Sequence, residues 1–108
     1  MFKILIALSL FLAIQGQPLG GYTDRPELIK AASTQKMVKL AVIELTRSDN
    51  LEVAPVEVIS VATQMVNGVN YRIIFTASES TTTEVLFCST VVYQSFDGAQ
   101  SVSSVKCA

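Results

Sequence analysis

Residues 53–76 read VAPVEVISVATQMVNGVNYRIIFT, and the Asn67-Gly68 pair inside them decides how the chain folds. Val53 to Val66 is a long β-branched run with Pro55 near its start, where a strand tolerates a residue that cannot donate to its neighbour. Beyond the pair, Val69, Tyr71, Ile73 and Phe75 alternate with Asn70, Arg72 and Thr76, the period-2 pattern of a strand with one buried face. Asn and Gly both tolerate φ > 0, which a tight turn between antiparallel strands demands. The stretch therefore predicts a hairpin with its tip at Asn67-Gly68.

Working outward towards the C-terminus, the polar segment Ala77 to Thr83 reads as a loop, Glu84 to Tyr93 as a third strand and Gln100 to Cys107 as a fourth. The chain holds two cysteines, Cys88 and Cys107, one in each of these last strands. In a secreted chain they most simply form one disulfide that staples the fold. If they face each other across an antiparallel pair, the hairpin centre falls between Asp97 and Gly98. Asp-Gly is again a type I′ turn dipeptide, so cysteine spacing and turn chemistry agree on one hairpin.

Towards the N-terminus, Asp24-Arg25-Pro26-Glu27 has the form of a helix start. Asp24 can accept from first-turn amides, Glu27 follows at capping-box spacing, and Pro26 loses nothing where its missing N–H would have no partner. Val38, Ala41, Val42 and Leu45 form one apolar stripe, with Met37 and Leu40 at its margin. The pattern predicts one helix over Pro26–Arg47, ended by the turn-forming Ser48-Asp49-Asn50. The coarse order is a helix followed by four strands.

Ahead of this, Lys3 precedes an apolar run from Ile4 to Ile14 broken only by Ser9. As a helix that run would span about 17 Å, short of the hydrocarbon core, so residues 1–16 are expected to be a signal peptide and 17–108 one secreted domain. Eight Lys or Arg stand against nine Asp or Glu, a formal net charge of −1, which excludes the basic excess of a nucleic-acid binder. The sequence contains no histidine, which excludes Ser-His-Asp and Cys-His nucleophiles and imidazole zinc sites. The cysteines are too far apart for a C-x-x-C site, and the Gly20-Gly21 doublet is no phosphate loop. An enzyme is not expected.

Hairpin parity carries the reading further. In a meander alternate turns lie at the same end of the sheet, so the Asn67-Gly68 and Asp97-Gly98 tips are neighbours, with the Ala77–Thr83 loop at the far end. A helix packed antiparallel to the first long strand would bring Gln17-Pro18-Leu19-Gly20-Gly21 near the tips. Leu19 with the glycines, Met65-Val66 and Phe96 would then cluster at one edge as a contact surface.

Gln64-Met65-Val66-Asn67-Gly68, followed by Val69-Asn70-Tyr71, resembles the cystatin signature Gln-x-Val-x-Gly. It follows a helix, sits on a hairpin tip, has a glycine ahead of the helix, and precedes a cysteine-closed hairpin. The chain is similar to secreted cystatins of invertebrate type over nearly all of 17–108. The resemblance implies an α+β fold, an antiparallel β-sheet of four to five strands wrapped around one long N-terminal α-helix. It also implies reversible, tight inhibition of papain-like cysteine proteases of the cathepsin class by a monomer, without a metal, cofactor or membrane. The N-terminal segment and two hairpin loops would form a wedge in the protease cleft. Gly20 matches the family's N-terminal glycine, Leu19 would be the apolar residue entering a subsite, and Gln64, Met65, Val66, Asn67 and Gly68 would be the first loop.

The second loop of the family usually carries Pro-Trp, where this chain has Phe96 and Asp97, so Phe96 would supply the aromatic contact. Vertebrate secreted members have two disulfides where this chain can make one. Some vertebrate relatives inhibit legumain through an asparagine after the helix. Asn50 lies in a comparable place, although Ser-Asp-Asn also ends helices routinely. The alternative function is a secreted non-inhibitory binding protein on the same fold.

Overall fold

The computed structural model describes residues 21–108. The expected signal peptide and the expected contact residues Leu19 and Gly20 lie outside them. A two-residue strand β1 (Thr23–Asp24) leads into a 3₁₀ turn (Pro26–Leu28) and the helix α1 (Ala32–Asp49). The strands β2 (Val53–Val66), β3 (Gly68–Glu79), β4 (Val85–Gln94) and β5 (Gln100–Cys107) follow. They form one antiparallel sheet in the order β1-β2-β3-β4-β5. The expected α+β architecture is present, with one short strand ahead of the helix.

The helix does not begin where the sequence predicts. Asp24 is held extended opposite Ala62 on β2, and the Arg25 N–H donates to the Val61 carbonyl at 2.8 Å. Arg25, not Asp24, stands in the cap position before Pro26 and makes no side-chain cap, so Pro26 opens only a 3₁₀ turn, and α1 starts at Ala32 after an Ala31 likewise without side-chain capping. The buried face is also rotated from the expected stripe: Thr34, Met37, Val38, Ala41 and Leu45 are buried, with Thr34 and Ala41 at the centre of the face and Met37 at its edge, while Val42 is half-buried. At the other end Asn50 adopts the left-handed conformation (φ 53°) and closes the helix, its N–H donating to the Leu45 carbonyl.

The sheet face opposite α1 supplies the rest of the core. Ile73, Phe75 and Ala77 on β3 alternate inward, as do Cys88 and Val92 on β4, and Val53, Val58 and Val61 come from β2. Bulges between Pro55 and Glu57 and between Val58 and Ser60 bend β2. Strand β3 continues to Glu79, so the connection expected over Ala77–Thr83 shrinks to Ser80–Glu84; Ala77 is completely buried as core and could not lie in a polar loop. The Ser80 N–H donates to the Glu52 carbonyl at 3.2 Å, placing this connection beside the start of β2, at the sheet end opposite Asn67.

Cys88 and Cys107 pair across β4 and β5 and form the expected disulfide. From them the predicted register holds through Val91 opposite Ser104. A bulge then leaves Ser103 unpaired, and Val92 faces Val102. One extra residue on β5 displaces the centre of the turn. The tip is accordingly not a two-residue Asp97-Gly98 turn but a longer bend over Ser95–Ala99.

Candidate functional site

The first tip is tight. Val66 opposes Gly68, so Asn67 alone rounds the bend, and of these residues only Gly68 has positive φ (+123°). This differs from the expected turn with both central residues left-handed. Gly68 is needed for a second reason. A Cβ there would stand 2.6 Å from the Gln94 carbonyl oxygen and 2.7 Å from the Tyr93 hydroxyl. The Tyr93 ring thus occupies the space a side chain would fill, and its hydroxyl donates to the Asn67 carbonyl. Below the bend the Asn70 side-chain amide donates to Gln64 Oε1 at 2.9 Å. Met65 and Val66 project outward, 65% and 41% exposed.

The second tip lies alongside, because the β3–β4 ladder runs up to Val69 opposite Gln94 before both chains turn away. The Gly98 N–H donates to the Ser95 carbonyl (3.0 Å) and the Ser95 N–H to the Ala99 carbonyl (2.9 Å), with Gly98 at φ +93°. This arrangement puts Phe96 and Asp97 at the centre of the turn and the left-handed residue after them. Asp97 Oδ1 accepts from the Ser95 hydroxyl and from the Ala99 N–H, and these bonds hold its carboxyl below the ordinary carboxylate value. Phe96 is 76% exposed and makes no part of the core.

The N-terminal segment reaches this edge by strand pairing. Thr23 opposes Thr63 and Asp24 opposes Ala62, so the chain traced back from Arg25 runs along β2 towards Val66. The Arg25 Nε donates to Thr63 Oγ1 at 3.0 Å, and the Arg72 guanidinium stacks on the Tyr22 ring, 4.3 Å from its centroid. Strand pairing, and not the direction of α1, turns Gly21 and Tyr22 towards this edge. Tyr22, Arg72 and Tyr93 carry no functional signal in the sequence: Arg72 and Tyr93 read as ordinary strand residues, and Tyr22 lies ahead of the expected helix start. Only the cross-strand register reveals their roles.

The structure therefore brings Gln64 to Gly68 and Phe96 to one end of the sheet, with Gly21 directed towards them. Asn50 lies at the other end, at the close of α1. Among the described residues no group of His, Cys, Asp and Glu could hold a metal ion, and no helix is long and apolar enough to cross a membrane.

A helix lying on a five-stranded antiparallel sheet, with two hairpin tips projecting at one edge, defines a protein of the α+β class. A family model for the cystatin domain matches residues 20–100. The salivary cystatin of the soft tick Ornithodoros moubata is similar in structure, with a TM-score of 0.69 at 22% identity over 82% of this chain and 97% of that one. Mialostatin, a gut cystatin from the hard tick Ixodes ricinus, has a TM-score of 0.69 at 21% identity, with 82% and 97% covered. Among curated protein sequences none matches. The chain belongs to the cystatin family, whose members are cysteine protease inhibitors and not enzymes.

Proposed function

We propose that the protein is a secreted, reversible, tight-binding inhibitor of papain-like cysteine proteases, with residues 1–16 as its signal peptide. It acts as a monomer. The blocking surface is the edge formed by Leu19 and Gly20, the first tip from Gln64 to Gly68, and Phe96 on the second. The observation that carries this reading is the exposure of Met65, Val66 and Phe96 on two tips whose backbones are held by internal hydrogen bonds. Apolar side chains carried on a backbone that is already ordered spare the cost of ordering the loops when a cleft closes around them, which favours tight binding without covalent chemistry. Val66 adds β-branched stiffness.

Asn50 is assigned to helix termination, because its left-handed backbone and its N–H bond to Leu45 already account for it.

Titration of papain with the mature chain tests the reading. Stoichiometric loss of peptidase activity, recovered on dilution with the inhibitor intact, is the expected outcome. Full papain activity at saturating protein would reject it in favour of a non-inhibitory binding protein on the same fold.

A further inference from the structure

The two tips belong to different hairpins, and a wedge needs them in one fixed relation. The main-chain ladder between β3 and β4 stops at Val69 opposite Gln94, so it does not include Val66, Asn67 or Gly68. What continues beyond it is the side chain of Tyr93. This residue faces Asn70 in the register, and its ring extends diagonally towards the tip, so its hydroxyl reaches the Asn67 carbonyl. Diagonal neighbours across an antiparallel pair lie within reach of an aromatic side chain. The missing side chain at Gly68 makes room for the ring, since a Cβ would come within 2.8 Å of its Cε1.

Tyr93 is tied as firmly to the second tip. Gln94 follows it directly, and the Gln100 side-chain amide donates to Gln94 Oε1 at 2.8 Å, closing the base of the Ser95–Ala99 bend. A rigid displacement of one tip relative to the other would break the Tyr93–Asn67 hydrogen bond.

Resting on the inhibitor reading above, we infer that Tyr93 is a positioning residue of the wedge, which holds the first tip in register with the second. It acts through Asn67 and Gly68 rather than by touching the protease.

The test is Tyr93→Phe, which keeps the ring and removes the donor. A net hydrogen bond of ordinary strength corresponds to a rise of about two- to twelvefold in the inhibition constant for papain. In a Phe96→Ala background the same substitution should cost less than about twofold, because the relative placement no longer matters once one tip has lost its contact. NMR relaxation on the free protein supplies a readout independent of any protease: backbone order at Asn67 and Gly68 should fall, with the interiors of β3 and β4 unchanged. Unaltered tip order in Tyr93→Phe would overturn the inference, and so would an equal penalty with and without Phe96. A wild-type chain that fails to inhibit papain, while Tyr93→Phe still loosens the tip, would reject the inhibitor reading and leave the brace standing.

Discussion

The Arg72 guanidinium lies over the ring of Tyr22, 4.3 Å from its centroid, and fastens the N-terminal segment to the strand that leads away from the first tip. Arg72 is on β3 and Tyr22 just before β1, so the contact spans β2 between them. With the Arg25–Thr63 bond, it fixes the line along which the chain runs beside β2 towards the first tip.

If that line serves to deliver Leu19 to a subsite, starting the chain at Gly21 should weaken papain inhibition by about ten- to 150-fold, chiefly through faster dissociation. Arg72→Gln should weaken the complete mature chain by about two- to fivefold, as expected for an exposed cation–π pair. In the shortened chain Arg72→Gln should have no effect. Stopped-flow association and dissociation rates for the four proteins check all three statements, and an undiminished Arg72 effect in the shortened chain would refute the delivery role.

Val66→Asp is expected to leave the fold intact, since Val66 is exposed at the end of β2. Inhibition should fall by at least about a hundredfold, because a carboxylate would have to enter a dehydrated cleft without a partner. Unchanged inhibition by a folded Val66→Asp protein would remove the first tip from the mechanism.

Phe96→Ala should behave as an interface substitution. Its ring is exposed on a turn closed by the Ser95–Gly98 and Ser95–Ala99 hydrogen bonds, so unfolding stability should change by less than about 0.5 kcal/mol. Papain inhibition should weaken clearly, because the phenyl group brings large area with few rotatable bonds. Paired urea unfolding and inhibition measurements separate the two effects. A stability loss of about 3–5 kcal/mol with inhibition preserved would instead mark a core residue.

Thr34→Val should stabilise the protein. The Thr34 hydroxyl is completely buried in the first turns of α1 and has no hydrogen-bond partner among the described residues. Valine keeps the shape and the β-branching while removing an unsatisfied polar group, a gain of about 1 kcal/mol. A rise in the urea midpoint at constant slope is the expected result, and a fall would mean that the hydroxyl is satisfied in solution.

Much of this architecture is determined by the sequence alone. The alternation from Val69 to Phe75, the β-branched run of β2 and the Asn-Gly between them specify a hairpin, because side-chain period and turn chemistry depend on residues only a few positions apart. The disulfide and the first part of the β4–β5 register follow from the presence of just two cysteines and the turn dipeptide Asp97-Gly98 midway between them. The Gln64–Gly68 pattern, read with that order of elements, was enough to indicate the family. Tertiary structure decided the rest. It drew Asp24 into the sheet opposite Ala62 and tied the Arg25 N–H to the Val61 carbonyl, and the helix starts only at Ala32. It left Ser103 unpaired, which turned Asp97-Gly98 into a longer bend and put Phe96 at its exposed centre. It set Tyr93 beneath Asn67 and Arg72 over Tyr22. Each of these depends on residues distant in sequence meeting across a ladder, and a local pattern of hydrophobicity or turn preference carries no information about which distant backbone or ring will be the neighbour.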